Sequence, residues 1–149
     1  MLGLTLSNGE TPKIAIKRLD VTKLISQMKN KASSHMVEAL VAACPPELYE
    51  GLWAKLKPSF AALCLNPVAN FAAQSLIASA TDSRFVTEMF HEVKGNLTDV
   101  ILNRRSGVAV LLLASCAAHS VCAVEVCQAV VDAVGSEEVC VQCFIFKIK

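Results

Sequence analysis

Two pairs of hydrogen-bonding side chains, each four residues apart, stand out in this sequence. Ser34 and Glu38 form one pair and Asn70 and Gln74 the other, with a flat ring, His35 or Phe71, directly after the first member. Residues i and i+4 lie one turn apart on one face of a helix. Each pair therefore shares a face with its ring, while the rest of the segment is apolar. Donors and acceptors so placed can match the edge of a nucleobase, and the ring beside them can stack on its face. Helical repeats recognise single-stranded RNA in this way, one base per repeat, and stacking contributes about 1–3 kcal/mol per base. Arg104 and Arg105 precede a third segment, Ser106 to Val110, and stand where they can meet phosphates. That segment has Gly107 and Val110 where a ring and a second polar group would be, so it is expected to contact backbone or nothing.

Each residue also fits a plainer role. Ser34 can cap its helix with Glu38 solvated, Asn70 and Gln74 can be surface amides, Phe71 can be core, and His35 an exposed ring. Lys13, Lys17, Arg18, Lys23, Lys29 and Lys31 outnumber the single Asp20 among them, a net +5. That stretch suits the border of a phosphate path or a solvated helix face equally.

Other chemistries lack their residues. There is no Gly-rich phosphate loop, paired-carboxylate site or nucleophile constellation, so no enzyme is expected. His35, His91 and His119 are scattered along the chain. The seven cysteines are an odd number, and the start, MLGLTLSNGETPK, lacks a basic segment leading into an apolar one. A reduced, intracellular setting is the expectation. Cys140 and Cys143 form a lone C-x-x-C, and Cys122, Cys127 and His119 complete no strong zinc spacing. Cys44, Cys64 and Cys116 sit among apolar residues as small hydrophobes. No metal or other cofactor is expected.

The elements that would position the pairs follow from composition and repetition. Of 149 residues, 54% are hydrophobic and 18% charged, with a net charge of +1, which excludes a disordered chain and a polybasic one. Ala, Val and Leu dominate and aromatics are only 5%, favouring helices over a sandwich of strands. The longest uncharged stretch runs from Ser106 to Val124. Its Ser106, Ser115, His119 and Ser120, and its lack of Trp or Tyr, argue against a membrane span.

Segments starting at 34, 70 and 106 are separated by 36 residues each time, with Leu40, Leu76 and Leu112 in phase, and Ala42, Ala78 and Ala114 after them. Such a period is the mark of a repeat array. The aligned helices are expected over about residues 34–43, 68–80 and 107–118. Second helices carry Leu48, Leu52, Trp53 and Leu56, then Phe85, Met89, Phe90 and Val93, then Val121, Val124, Val130 and Val134. Pro46 suits a first turn and Asp82 or Ser83 a cap. Short third helices are expected over residues 60–65 and 97–102. The sum is an all-α solenoid of about three units over residues 24–135, with an N-terminal extension at 1–23 and an atypical tail at 136–149. No aligned fourth segment follows Gly135, which reads as a truncated array or an altered end.

The 36-residue period with SHMVE and NFAAQ resembles Pumilio (PUF) repeats. SHMVEALV…PELYEGLW, LNPVANFAAQSLI, RSGVAVLLLASC and CQAVVDAV are similar to the nucleolar Pumilio-like branch, that of nucleolar protein nine and the plant nucleolar Pumilio homologue. The resemblance implies a right-handed superhelix of three-helix repeats that binds single-stranded RNA without catalysis. It implies precursor ribosomal RNA as partner, a role in small-subunit rRNA processing and ribosome biogenesis, proteins of the pre-ribosomal particle as possible neighbours, and residence in the nucleus and nucleolus. By the same resemblance Ser34 with Glu38 matches a guanine-reading pair, Asn70 with Gln74 a uracil-reading pair, and His35 and Phe71 the stacking position. The competing reading is a HEAT- or armadillo-like solenoid that binds a partner protein.

Overall fold

A computed structural model describes residues 16–135, which form helices joined by short turns, with no strand among the described residues. Three three-helix units follow one another. The first comprises α1 (Val21–Lys29), α2 (Ser34–Ala42) and α3 (Pro46–Leu56). After a 3-10 turn over Lys57–Ser59, the second comprises α4 (Phe60–Leu65), α5 (Asn70–Ala78) and α6 (Ser83–Lys94). The third comprises α7 (Leu97–Leu102), α8 (Ser106–Ala118) and α9 (Ala123–Val134). Helices α2, α5 and α8 are the aligned segments of the repeat, and α4 and α7 are the short helices expected between them. The all-α array of three-helix units expected from the sequence is the architecture observed. No helix among the described residues is long and apolar enough to cross a membrane.

Local chemistry sets the boundaries. Extended Pro45 delivers the chain to Pro46 at the first turn of α3, where a missing N–H leaves no bond unmade. The Asp82 carboxylate accepts from the Arg84 N–H at 2.8 Å and caps α6, which ends at Gly95. The valine pattern expected for α9 is displaced. Val121 precedes that helix and Val124 is exposed, whereas Val126 and Val130, four residues apart, are buried. The cause is the left-handed Cys122 (φ 50°), which starts α9 two residues after Val121 and resets its phase.

The units bury each other. Cα atoms of α2 and α5, and of α5 and α8, approach within 8 Å, which Ala72, Ala73 and Ala109, all fully buried, make sterically possible. On the opposite side α3 and α6 are held apart and meet through long side chains. Tyr49 and Phe85, 36 positions apart, stack with centroids 5.2 Å apart. Arg84 reaches Glu50 at 3.1 Å, and the Trp53 indole donates to Glu88 Oε2 at 2.7 Å. Tight packing on one side and spacing by aromatic residues on the other curve the array, with α2, α5 and α8 on the inside. Two further contacts tie units together across α5. The Tyr49 hydroxyl donates to the Leu76 carbonyl, and His119 Nε2 lies 3.2 Å from the Ala80 carbonyl.

One repeat position shows how much burial depends on the neighbouring unit. Ala72 and Leu76 in the second unit, and Val108 and Leu112 in the third, are fully buried. Their counterparts in the first unit, Met36 and Leu40, are 51% and 45% exposed. Among the described residues nothing precedes α2 on that face. This is the expected behaviour of a one-dimensional array.

The outer face supplies a test. The Trp53 indole bond first, and Lys57 at 3.3 Å after it, hold the Glu88 carboxyl below its ordinary range, outweighing partial burial. The stabilisation is therefore complete above the ordinary carboxylate range and fades as pH falls through the lowered value. Glu88→Ala is expected to cost about 1 kcal/mol at pH 7. In urea melts of both proteins, that gap should close in acid.

Candidate nucleic-acid interface

The inside row carries the residues expected to read bases, but not all in the same attitude. His35 and Phe71, the second residues of α2 and α5, are exposed, Phe71 to 52%. Glu38 and Gln74, one turn further on, are half-buried. Ser34 and Asn70 are buried at 3% and 2%, and neither stands open as a direct reader. Ser34 Oγ donates to the Lys31 carbonyl at 3.5 Å. Asn70 Nδ2 donates to the carbonyls of Asn66 and Pro67, both at 3.0 Å. The two first residues thus make equivalent bonds, back to the turn that precedes their helix. Ser34 is not the cap of α2; that place falls to Ser33.

Asn70 in turn acts on its partner. With its amide nitrogen committed to two carbonyls, its Oδ1 faces the helix surface and accepts from Gln74 Nε2 at 3.0 Å. Backbone carbonyls can only accept, so they fix the orientation of both amides. Glu38 is held more lightly. Its Oε2 lies 3.4 Å from His35 Nδ1, and its buried Oε1 has no hydrogen-bond partner among the described residues. A buried carboxylate oxygen without a donor is costly by itself.

Sequence reasoning missed the asparagines that end the short helices. Asn30, Asn66 and Asn103 occupy equivalent positions as the C-caps of α1, α4 and α7. Asn66 Oδ1 accepts from the Val68 and Ala69 N–H groups, both at 2.9 Å, and Asn30 Oδ1 accepts from Ala32 N–H at 2.9 Å. These turns aim the chain into α2 and α5. The signal was available: Asn30 and Asn66 are themselves 36 residues apart.

In the third unit Ser106, Gly107 and Val110 are all half-buried and provide no ring. Arg104 lies before them with φ 61°, in the left-handed region. The Arg104 and Arg105 N–H groups close back on the Ile101 and Val100 carbonyls at 3.0 and 2.9 Å. This is the Schellman termination of α7, whose left-handed position favours glycine. Arg104 is exposed there, and Arg105 is half-buried with its Nε unpaired among the described residues.

The cysteines behave as core. Burial pushes the Cys64 thiol up to about 12 and, as the largest cause, the Cys116 thiol to about 11. Among the described residues no group of three His, Cys, Asp or Glu is arranged to hold a metal. Cys140 and Cys143, in the tail at 136–149, and Lys13, in the N-terminal extension, lie outside the described residues.

The profile of the NOP9-like PUF repeat domain matches residues 13–147. This chain belongs to that family. The match is wider than the 24–135 read from the repeat. Pumilio homolog 23 of Arabidopsis thaliana is 30% identical over 115 residues, 76% of this chain and 15% of the relative. Nucleolar protein 9 of Homo sapiens is 24% identical over 99 residues, 66% of this chain and 16% of the relative. This PUF repeat chain therefore spans about a sixth of the length of the curated relatives it matches. Solved structures agree. One of APUM23 with GGAAUUGACGG superposes with a TM-score of 0.76 at 26% identity, over 84% of this chain and 25% of that one. Another, with GGAUUUGACGG, gives 0.74 at 29%, over 79% and 22%.

Exposed Cys127 should alkylate with iodoacetamide at pH 8 in the native protein, while Cys64 and Cys116 react only after unfolding. Peptide mass mapping distinguishes the two classes.

Proposed function

We propose that this PUF repeat chain binds single-stranded RNA along the inside row of α2, α5 and α8 and selects among bases in its first two units. The observation that carries the reading is the pairing, twice over and 36 residues apart, of an exposed ring with a half-buried polar group on the same helix face. His35 and Phe71 supply the stacking surfaces. Glu38 offers its carboxylate to the N–H groups of a guanine edge. Gln74 meets a uracil edge. Ser34 and Asn70 stand behind them, with Asn70 setting the orientation of Gln74. Support also comes from the family and from the U-containing strands in the APUM23 structures.

Arg104 and Arg105 serve the phosphates. Holding a non-glycine residue in the left-handed region costs about 1 kcal/mol. An exposed arginine kept there is better explained by a contact outside the fold than by the turn itself. The natural partner in this reading is precursor ribosomal RNA, the process small-subunit rRNA processing, and the place the nucleolus of the nucleus. The name of the human relative, nucleolar protein 9, supports the nucleolar placement. A protein-binding solenoid of the HEAT or armadillo kind has no comparable pattern in its favour here.

Fluorescence anisotropy with labelled GGAAUUGACGG at rising salt tests the proposal. Binding should weaken with salt, and absence of binding by the folded chain would sink it. Asn70→Ala with Gln74→Ala should lose about 1–3 kcal/mol of affinity for the uracil-containing strand. Equal affinity of the double mutant and the parent would remove the base-reading role. Arg104→Gly should raise thermal stability by about 1 kcal/mol and reduce the slope of log affinity against log salt by about 1. Calorimetry and the salt titration read the two effects separately.

A further inference from the structure

We propose that Gly107, on the neighbouring helix, is a specificity-determining residue: it leaves the space in which Asn70 fixes the Gln74 amide in a single orientation. The proposal rests on the base-reading role given to Gln74 above. A Cβ built at Gly107 would lie 2.7 Å from Gln74 Oε1, 2.9 Å from its Cδ and 2.9 Å from its Nε2. All three atoms of the amide are thus nearly equidistant from one point, and too close for any side chain to fit between. Gly107 has the repeat position that His35 and Phe71 hold in the other units, so the space a ring would fill belongs instead to the amide of Gln74.

The consequence is chemical. Asn70, fixed by the carbonyls of Asn66 and Pro67, presents only its oxygen, and Gln74 must turn Nε2 toward it. The missing Cβ of Gly107 leaves the amide the room to keep that bond. What remains of Gln74 is one N–H and one acceptor oxygen in a fixed order. Uracil offers N3–H and O4, while cytosine offers N3 and N4–H₂, the same two places with donor and acceptor exchanged. A carboxamide free to turn over satisfies either base; one that cannot turn over satisfies one of them. Discrimination between the two pyrimidines therefore depends on the Asn70 bond and on the residue that leaves room for it.

Gly107→Ala separates this role from folding. The atoms a methyl group would displace are the end of a flexible side chain, and alanine is the better helix former, so thermal stability should not fall. The 149-residue parent, Gly107→Ala, Gln74→Ala and the double variant are titrated with GGAAUUGACGG and with GGAACCGACGG. The parent should prefer the uracil strand by about tenfold. Gly107→Ala should reduce that to about twofold, Gln74→Ala should do the same, and the double variant should lose nothing more. Full discrimination by Gly107→Ala, or an equal further loss on the Gln74→Ala background, overturns the proposal. An independent readout is the side-chain NH₂ pair of Gln74 in a ¹H–¹⁵N spectrum. It should lie away from the positions of a solvated glutamine amide in the parent and move to them in Gly107→Ala; a pair at the solvated positions in the parent overturns the positioning role whatever the RNA does. A parent without pyrimidine preference overturns both readings, and a displaced amide pair would then place the failure in the base contact and not in the packing.

Discussion

Helices α2, α5 and α8 lie close enough for their backbones to be near contact, and most of what is distinctive in this chain follows from that distance. It requires alanine at 72, 73 and 109, all without solvent exposure. It also requires the opposite side of the array to be wider, which Tyr49, Trp53 and Phe85 accomplish by filling space between α3 and α6. The curvature is the geometric difference between small side chains inside and large ones outside. Polar groups on the inside row then come within reach of one another across helices, so that Gln74 of one unit rests on the backbone of the next.

The same closeness sorts the polar residues of the row into two kinds. At the start of α2 and α5 the first residue is drawn inward, and a buried polar side chain must find partners. Asn70 finds two carbonyls of the preceding turn, and Ser34 one. One turn later the helix face has rotated enough for Glu38 and Gln74 to reach solvent. The inward residues govern geometry and the outward ones remain available. Asn66 belongs with the first kind, because its two backbone bonds shape the turn whose carbonyls hold Asn70.

Much of this was legible beforehand, and for a physical reason. A unit that buries its neighbour's face must repeat its apolar positions at constant spacing, so the 36-residue period showed the units, the short helices and the family resemblance directly. Trp53 and Phe90 were readable as core because helical spacing places them with Leu56 and Val93. The attitude of Ser34 and Asn70 was not readable, since it depends on a turn whose asparagine forms local bonds that periodicity does not register. The phase of α9 was hidden for a similar reason. A single left-handed residue, Cys122, decides it, and nothing in the residue type announces that conformation. The exposure of Met36 and Leu40 was invisible in principle. Their residue types match those of buried counterparts, and only the presence of a neighbour tells them apart.

That last contrast has a dynamic consequence. Since a unit owes much of its core to what stands on either side, the middle of the three described units is held from two directions. Such a stack frays from the ends like an unfastening zipper, and does not melt all at once. A strand laid along the inside row would bridge adjacent units and staple them. Each unit gripped by the strand would lend rigidity to the next, so that ligand and array would tighten together.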